Sequence, residues 1–365
     1  MNVALCHDWL NGLRGGEKCL EVLCELYPDS PVHTLFYEKG RISPIIESHR
    51  IVTSPLQSLP LSGMYYRHLL PLYPWAIGTF DLSGYDVVLS TSHCAAKGVT
   101  KPAGARHICY CFTPARYAWS LFEQYFGGQP GPLKRLTRRL LEDFRQWDLA
   151  NSAEVDHFIA ISDHVKQRIR RYYDREADVI YPPVDTEYYQ PAAVRREAFY
   201  LVVSALVPYK RVDLVLERFA QDPRPLVIIG DGPERAALQR KAPPNVRFLG
   251  WQPDEILRDH YRRAKALIFP GEEDFGIVPV EAQACGCPVI AYGLGGAVET
   301  VLDGRTGVLF PDQTSVSLAE AMARFDDTAF DPYAIRKNAE RFSRKRFASQ
   351  IGSRVAELAG GGGTR

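Results

Sequence analysis

Short runs of Val, Ile and Leu alternate with longer amphipathic segments along almost the whole chain. Runs that are apolar throughout are typical of strands in a parallel sheet, because both faces of such a sheet are buried. We predict strands of this kind at 2–6, 31–36, 86–90, 106–111, 156–161, 178–181, 199–204, 225–229, 246–249, 266–270, 288–291 and 307–310. Helical patterns lie between them, at 17–27, 133–149, 163–173, 212–220, 233–241, 254–263 and 277–285.

This alternation predicts an α/β protein built from doubly wound parallel sheets. The pattern pauses once, between residues 182 and 196, where three prolines occur without a strand or helix period. We interpret that segment as a linker, crossed by few contacts, between two α/β domains. After residue 310 we predict only helices, at 316–325, 333–346 and 347–358, followed by a disordered tail at 361–365.

Composition narrows the class of protein. The 365 residues suggest two domains, or three. Lys and Arg total 44 and Asp and Glu total 43, a net charge of +1, which argues against a surface built to hold nucleic acid. The eight cysteines form no C-x-x-C pair, so we expect buried reduced thiols rather than a zinc site. The amino terminus lacks the basic region of a signal peptide, and the apolar stretch 69–80 is too short to span a bilayer, so we predict a cytoplasmic protein.

Glycines after the first predicted strand form one candidate ligand loop. Gly12, Gly15 and Gly16 precede the helix predicted from Glu17. Glycines let a backbone approach a ligand closely, and a helix N-terminus offers N–H groups to an anion. The spacing is neither a G-x-G-x-x-G fingerprint nor a P-loop, and a tight turn explains it equally well.

The strongest signal is an acidic segment in the second half of the chain. Glu273 and Glu281 flank Phe275 and Gly276. A helix that starts after Gly276 would leave Glu273 in the loop at a strand's carboxyl end, facing the same crevice as the amides of Gly276 and Ile277. Glu281 could then accept hydrogen bonds from the two hydroxyls of a ribose. The alternative is a structural role for Glu281, paired with helix-end amides or with an arginine.

Two adjacent cations, Lys210 and Arg211, follow the strand predicted at 199–204. They suit a ligand diphosphate, because charge on a leaving pyrophosphate needs a fixed positive partner; a solvated loop is the alternative. Glycine-rich turns at 230–233 and 293–296 follow two further strands. Since these loops share the carboxyl edge of one predicted sheet, where open α/β sheets bind ligands, we favour the functional interpretation.

These residues carry a resemblance to a known family. The segments 207–210, 229–233, 273–281 and 295–300 resemble the donor-site signature of the family-four retaining glycosyltransferases. The segments 7–10, 14–18, 85–90 and 110–119 resemble, more particularly, the O-antigen type of GDP-mannose-dependent mannosyltransferase.

The resemblance implies a GT-B fold: two Rossmann-like doubly wound domains facing a central cleft, with C-terminal helices packing back toward the first domain. It makes 1–183 the acceptor-binding domain, 184–340 the nucleotide-sugar domain and 341–360 the helix that crosses back. The implied activity is retaining transfer of a hexose, mannose from GDP-mannose, to a lipid-diphosphate-linked or oligosaccharide acceptor in cell-surface polysaccharide synthesis. No metal or other cofactor is implied, and we find no Asp-x-Asp motif.

The resemblance also distributes roles among the candidate residues. It assigns catalysis to Glu273, Lys210 and Arg211. The donor-binding set is Gly15, Gly16, Lys210, Arg211, Gly250, Trp251, Phe275, Gly276, Ile277 and Glu281, with Glu281 on the ribose and the cations on the diphosphate. The acceptor side is His7, Asp8, Phe112 and Arg116.

Two positions depart from the family pattern. Many relatives have a histidine where this chain has Phe112, and many have an arginine where it has Ala205. Phe112 can neither hydrogen-bond nor move a proton, so no catalytic histidine is transferred to it. Nearby His93 and His107 are candidate substitutes, although a core or strand-end histidine explains each more simply.

Two basic segments and an apolar one suggest contact with a membrane surface. Lys and Arg cluster at 134–139 and at 166–171, and the stretch 69–80 is aromatic and apolar. Basic helices beside apolar loops can dock on anionic lipid; a solvated helix face beside a buried loop is the alternative.

Three other functions stay open at this point. A UDP-sugar donor would leave the fold unchanged. A nucleotide-dependent oxidoreductase would use the first glycine loop, with Glu38 on a ribose, but lacks the dinucleotide fingerprint. A non-catalytic sugar-nucleotide-binding protein is compatible with Phe112.

Overall fold

A computed structural model describes residues 1–60 and 62–360. The chain divides into two compact units. The first comprises Met1–Pro183 with Lys345–Arg365, and the second Val184–Arg344. The tail predicted to be disordered, 361–365, lies outside the described residues.

Within the described residues, the first unit has a seven-stranded parallel sheet with the order β3-β2-β1-β4-β5-β6-β7. Its strands are β1 (Val3–His7), β2 (Val32–Thr34), β3 (Ile51–Thr53), β4 (Val87–Ser92), β5 (Arg106–Cys111), β6 (His157–Ala160) and β7 (Ala177–Val179). Six of them were predicted. The three-residue β3 was not, because it is too short to show a period.

The helices of the first unit are very unequal in length. They are α1 (Gly15–Leu26), α2 (Pro44–Glu47), α3 (Ser62–Tyr65), α4 (Tyr73–Ile77), α5 (Arg116–Trp119), α6 (Phe122–Phe126), α7 (Gly131–Glu154) and α8 (Asp163–Tyr173). Short 3₁₀ helices occupy Pro55–Ser58, Tyr66–Leu72 and Ala96–Gly98. The predicted helices at 17–27, 133–149 and 163–173 correspond to α1, α7 and α8.

The second unit has a six-stranded parallel sheet with the order β10-β9-β8-β11-β12-β13. Its strands are β8 (Tyr200–Val203), β9 (Leu226–Ile229), β10 (Val246–Gly250), β11 (Ala266–Phe269), β12 (Val289–Tyr292) and β13 (Gly307–Phe310). Numbered within the unit, this is the Rossmann order 3-2-1-4-5-6. The strand order, not the strand direction, reverses between the parallel strands β8 and β11. The loops after these two strands hold the strongest sequence candidates.

The helices of the second unit follow the predicted alternation. They are α9 (Val212–Phe219), α10 (Arg235–Lys241), α11 (Asp254–Arg263), α12 (Ile277–Ala284), α13 (Ala297–Thr300), α14 (Ser315–Asp326) and α15 (Pro332–Ala339). One face of the sheet is covered by α9, α10 and α14, whose buried side chains form a single core with those of the strands.

The segment predicted as a linker, 182–196, differs from expectation. It has no helix or strand, but from Val184 onward it packs on the second unit. Tyr189 is 2% exposed, and its ring packs edge-on against Tyr261 at 5.9 Å. The Arg196 guanidinium donates to the carbonyls of Ala264 and Gly286. Prolines interrupt the helix and strand periods of a segment but do not prevent its side chains from being buried. The prediction of a linker crossed by few contacts was therefore wrong for the part after Pro183.

The last described element is α16 (Arg344–Gly360). The helix predicted at 333–346 is interrupted: α15 stops at Ala339, a 3₁₀ turn follows, and Ser343 is extended. Within the first unit, Phe347 of α16 packs edge-on against Tyr110 at 5.4 Å, and Arg354 Nε donates to Asp178 at 2.6 Å. This helix therefore belongs to the core of the first unit.

Two further expectations concerned reduced cysteines and membrane-spanning segments. All eight cysteines are buried free thiols, and burial raises the pKa of Cys24 and of Cys285 to about 12. In the described part of the chain, no helix has both the length and the apolar character needed to cross a bilayer.

Candidate functional site

Lys210 and Glu273 meet at the carboxyl edge of the second unit's sheet. Lys210 ends the 3₁₀ turn that leads from β8 into α9, and Glu273 lies in the loop between β11 and α12. Their charged groups form an ion pair, and the side chains are 16% and 15% exposed. The two loops touch through their backbones, since a Cβ added to Gly271 would lie 3.1 Å from the Lys210 Cα. Two predicted catalytic residues are thus brought together.

The Glu273 loop is held in place by the glycine-rich turn after β12. Gly296 N donates to Glu273 O at 2.8 Å, and Glu273 forms an isolated parallel bridge with Gly295. A side chain on Gly296 would overlap the backbone of Phe275. The turn at 293–296 therefore shapes the acidic loop, a role that its sequence alone did not specify.

Helix α12 begins where the sequence predicted, directly after Gly276. Gly276 adopts φ +87°, a left-handed conformation that favours glycine, and Ile277 is the first helical residue. The amides of the first turn of a helix have no intrahelical acceptor, so they are available to an anion. Phe275 is 3% exposed and packs against Phe342 at 5.4 Å, so its backbone rather than its ring borders the loop.

Glu281 projects from the second turn of α12 and is 5% exposed. The Tyr261 hydroxyl donates to its Oε2 at 3.2 Å. Burial raises the pKa of Tyr261, and the neighbouring Glu281 carboxylate raises it further, so this phenol stays protonated and keeps donating. A tyrosine is thus one partner that holds the Glu281 carboxylate in place.

Arg211 is the N-cap residue of α9 and adopts a left-handed conformation, with φ 53°. Its Nε donates to Asp213 at 3.1 Å and its Nη1 to Gln313 Oε1 at 3.2 Å. Gln313 in turn donates to the carbonyl of Pro270 at the end of β11. Arg211 therefore links the two loops through Gln313, and Asp213 already neutralises part of its charge.

Gly250 and Trp251 stand at the end of β10, the outer strand of the sheet. Gly230 N donates to Gly250 O at 2.8 Å. The Trp251 side chain is 73% exposed. In the sheet, β9 lies between these residues and β8, so Gly250 and Trp251 do not directly adjoin the Lys210–Glu273 pair.

In the first unit, the glycine loop, His7 and Phe112 come together. Helix α1 begins at Gly15, which puts the amides of Gly15 and Gly16 in its first turn. A Cβ on Gly16 would lie 3.3 Å from the Phe112 ring, and the His7 ring is edge-on to Phe112 at 6.3 Å. His7 Nδ1 hydrogen-bonds to Thr91 Oγ1 at 2.7 Å. The first glycine loop therefore adjoins the ends of β1 and β5.

Glu17 is a buried acid of this region that sequence reasoning had not singled out. Its Oε2 accepts from the Arg14 amide at 2.9 Å, closing a cap on α1, and its Oε1 lies 3.9 Å from His7 Nε2. Burial opposes ionisation, but the hydrogen bond and charge of His7 outweigh it and lower the pKa of Glu17. The Arg-Gly-Gly-Glu spacing is the signal that could have revealed the cap.

Asp8 is fully buried, and its carboxylate orders the loop after β4. It accepts the backbone amides of His93 (2.7 Å), Cys94 (3.0 Å), Ala95 (2.6 Å) and Ala96 (2.6 Å). Burial would raise the pKa of Asp8, but the charge and hydrogen bonds of His93 outweigh it and hold the pKa well below its usual range. Asp8 was predicted on the acceptor side, and the structure shows it facing the protein interior.

The two candidate substitute histidines have different surroundings. His107 is fully buried and hydrogen-bonds to Ser90 at 2.8 Å, and burial lowers its pKa to about 3. It is a neutral core residue. The His93 side chain is 35% exposed at the end of β4, with Nδ1 2.9 Å from Asp8 Oδ2. Arg116 begins α5 and is half-buried.

A buried ion pair beneath α5 was missed. Lys97 pairs with Asp148, and both side chains are at most 2% exposed. Trp119 Nε1 and the Tyr173 hydroxyl also donate to this carboxylate, at 2.7 and 2.8 Å. Within residues 1–60 and 62–360, no cluster of three or more His, Cys, Asp or Glu has the geometry to hold a metal ion.

Comparison with known proteins identifies the class of both units. Residues 15–188 match the family described as Glycosyltransferase Family 4, and residues 186–342 match Glycosyl transferases group 1. Each unit thus carries a glycosyltransferase domain, one of family four and one of group 1, and the fold is of the GT-B type with two Rossmann-like domains.

Curated relatives share part of the chain. A D-inositol 3-phosphate glycosyltransferase of Mycobacteroides abscessus is 33% identical over 191 residues, which is 46% of this chain and 41% of the relative. The same-named protein of Saccharomonospora viridis is 30% identical over 231 residues, 53% of this chain and 54% of the relative. The match thus spans about half the length of these relatives. These relatives are named inositol phosphate glycosyltransferases, whereas the amino-terminal segments resemble O-antigen mannosyltransferases.

Solved structures agree with the fold over nearly the full length. Sucrose-phosphate synthase from Thermosynechococcus elongatus has a TM-score of 0.72 at 19% identity, covering 98% of this chain and 99% of that one. Anabaena HepE in complex with UDP has a TM-score of 0.71 at 19% identity, covering 98% and 100%. A lipopolysaccharide outer core galactosyltransferase, WaaB, has a TM-score of 0.69 at 17% identity, covering 98% and 99%.

Proposed function

We propose that this protein transfers a hexose, with retention of configuration, from a nucleoside-diphosphate donor to a saccharide acceptor. The observation that carries the proposal is the Lys210–Glu273 ion pair beside the first turn of α12, with buried Glu281 one turn deeper. A cation, free amides and a carboxylate meet at the strand-order reversal of a Rossmann sheet. Open α/β sheets bind nucleotides at that place.

Each group has a distinct part in the proposed donor site. Glu281, held by Tyr261, accepts hydrogen bonds from the two ribose hydroxyls. Lys210 and Arg211 bind the diphosphate, and Lys210 stabilises the charge that grows on the leaving phosphate oxygen. Glu273 and the amides of Gly276 and Ile277 face the hexose.

The proposed reaction breaks the bond between the anomeric carbon and the phosphate oxygen and forms a bond to an acceptor hydroxyl on the same face. The acceptor proton passes to the departing phosphate oxygen, so no protein base is required. This accounts for an apolar residue, Phe112, at a position where many relatives have histidine. We propose that the reaction proceeds without a metal, with Lys210, Arg211 and the helix amides carrying the positive charge.

The donor is proposed to be GDP-mannose, with a UDP-sugar as the alternative. GDP-mannose is supported by the amino-terminal segments that resemble mannosyltransferases, among them 7–10 and 110–119. UDP is favoured by a structural similarity, because HepE, which has the same fold, has been solved with UDP and with UDP-glucose. The inositol phosphate named in the curated relatives adds a phosphorylated polyol to the acceptors worth testing.

We propose that the first unit binds the acceptor and contacts a membrane that carries it as a lipid diphosphate. Leu133, Leu136 and Leu140 on α7 are 49%, 55% and 40% exposed, and they share one face of the helix. Arg135 and Arg139 are exposed beside them. Apolar and basic side chains on one amphipathic helix suit an anionic lipid surface.

A second exposed apolar group lies in the stretch 69–80. Leu72 is 44% exposed and Trp75 is 58% exposed, whereas Tyr73 and Ile77 are buried.

Sedimentation with phosphatidylglycerol vesicles, but not with phosphatidylcholine vesicles, is expected for the wild type and should weaken in Leu136→Glu. Equal sedimentation of both proteins would contradict the membrane contact.

Thermal shift with GDP-mannose, UDP-glucose, UDP-N-acetylglucosamine and ADP-glucose tests the donor, because a true ligand stabilises the fold by mass action. GDP-mannose should raise the melting temperature most. Release of GDP with a saccharide acceptor then separates an enzyme from a binding protein. Stabilisation by NADH but by none of these donors would favour the oxidoreductase instead.

A further inference from the structure

His93 sits at the carboxyl edge of the first unit's sheet in an arrangement that the proposed donor chemistry does not use. It follows β4 directly, and its imidazole Nδ1 lies 2.9 Å from Asp8 Oδ2. Asp8 also accepts four backbone amides of the same loop, so the carboxylate cannot turn away. The orientation of the imidazole is therefore fixed from the protein interior.

The fixed orientation determines which ring nitrogen is offered to a ligand. In the neutral form of His93, the ionised Asp8 acceptor keeps the ring hydrogen on Nδ1. The imidazole Nε2 then has a lone pair, and no hydrogen bond joins that atom to any residue of 1–60 or 62–360. The side chain is 35% exposed. A half-exposed hydrogen-bond acceptor thus faces solvent from an anchored ring.

Two aromatic rings lie beside the His93 ring. Trp9 lies edge-on to the His93 ring at 4.6 Å, and Phe112 lies 6.3 Å from it. Trp9 is itself braced by Tyr66 at 5.3 Å and Tyr73 at 6.2 Å. Both Trp9 and Phe112 are only half-buried. A few directed polar atoms within aromatic walls are typical of sites that bind small molecules with an apolar face and hydroxyl groups.

We propose that His93, with Trp9 and Phe112, forms a pyranose-binding subsite in which His93 Nε2 accepts a hydrogen bond from a sugar hydroxyl. The inference rests on the proposed function, because it gives the acceptor side of that transfer a residue that contacts the saccharide. Asp8 is then a positioning residue: it touches the imidazole and not the sugar. Phe112 supplies an apolar wall, and His93 supplies the hydrogen bond that Phe112 cannot make.

Three substitutions of His93 separate sugar binding from loop stability. Asparagine places an amide near the imidazole Nδ1, so it keeps the contact with Asp8 and loses the outer acceptor. Glutamine places its amide near Nε2, so it keeps the outer acceptor and loses Asp8. Alanine loses both. His49→Ala is the matched control. His49 Nδ1 hydrogen-bonds to Ser30 O in the same unit. Ser30 precedes β2 and His49 precedes β3, so this contact lies away from the carboxyl edge of the sheet.

Binding is measured by saturation-transfer NMR titration of methyl α-D-mannopyranoside, methyl α-D-glucopyranoside and myo-inositol, with and without GDP or UDP. The wild type should bind at least one probe. His93→Ala and His93→Asn should weaken that binding about 3- to 10-fold, as expected for one lost neutral hydrogen bond. His93→Gln should recover part of it, and His49→Ala should bind like the wild type. The GDP or UDP dissociation constant should be the same in all of them.

The outcomes that contradict the subsite are distinct from those that contradict the proposed function. Recovery by asparagine but not by glutamine would show that His93 only supports the loop. Equal sugar binding by all variants, or no probe bound by the wild type, would also overturn the subsite. A protein that binds neither GDP nor UDP, yet binds a sugar in a His93-dependent way, would refute the donor and leave the subsite standing.

Discussion

Lys210 and Glu273 come from loops after two adjacent strands of the second sheet, and their charged groups form an ion pair. Each side chain is about one-sixth exposed, so the pair is largely shielded from solvent. In the proposed donor site, an entering diphosphate competes with Glu273 for the ammonium group of Lys210.

Lys210→Ala should lower turnover more than donor affinity, because negative charge on the leaving phosphate grows toward the transition state. Loss of one such preorganised group typically costs about 10²–10³ in rate. Lys265→Ala is the matched control, since Lys265 forms an ion pair with Asp326 before the start of β11. If affinity falls and turnover holds, Lys210 is a binding residue only.

Tyr261→Phe removes the hydroxyl that donates to Glu281 and keeps the ring that packs on Tyr189. We expect nucleotide affinity to fall about 3- to 10-fold, because the carboxylate loses the hydrogen bond that orients it while it can still accept from the ribose hydroxyls. Calorimetric titration of GDP and UDP measures the effect. Tyr333→Phe, on an exposed side chain, provides the control. Equal affinities in Tyr261→Phe and the wild type would show that Tyr261 does not position Glu281.

Phe112→His should leave the stereochemistry unchanged. Same-face transfer uses the departing phosphate oxygen as the base, so a new imidazole alters rate or sugar preference and not the anomeric outcome. An α-configured donor should give an α-linked product with both proteins, as read from NMR coupling constants. A β-linked product from the wild type would rule out retention.

His107 should make the first unit less stable in acid. Its folded pKa of about 3 lies below the usual value for histidine, so between these values the unfolded chain binds the proton and the folded chain does not. Stability is therefore lost as pH falls. Relative to His107→Met, the wild type should lose about 2 kcal/mol of unfolding free energy between pH of about 6.5 and about 4.5.

Urea unfolding followed by tryptophan fluorescence suits this test, because Trp9, Trp75, Trp119 and Trp147 lie in the first unit and only Trp251 lies in the second. His49→Ala serves as the control. Parallel pH profiles for the wild type and His107→Met would show that burial of His107 does not carry this dependence.

The long regular elements could be predicted because their apolar runs are local signals. All six strands of the second sheet were predicted, and so was the start of α12 after Gly276. The Glu-Phe-Gly-Glu segment pointed to the candidate site for the same reason, since its spacing is contained in nine residues. Elements without a local signal were missed or misjudged, among them the short β3 and the proline-rich segment after Pro183.

What the sequence could not provide is contact between distant residues. The partnership of Asp8 with His93 and of Lys97 with Asp148 depends on which strand ends adjoin, and that follows only from the folded sheet. The same holds for Tyr261 as the partner of Glu281. Spacing suggested a nucleotide site, whereas the supporting side chains became visible in the structure.

Glu281 is proposed to bind the ribose hydroxyls of the donor nucleotide. This proposal is tested most directly by calorimetric titration of GDP and 2′,3′-dideoxy-GDP, and of the corresponding uridine pair, into the wild type and Glu281→Ala. The wild type should prefer the nucleotide with both hydroxyls by about tenfold to a hundredfold, as expected for a charged hydrogen bond. Glu281→Ala should bind both nucleotides alike and weakly. If the wild type and Glu281→Ala discriminated equally between the ribose and dideoxyribose nucleotides, Glu281 would not be the residue that binds the ribose hydroxyls.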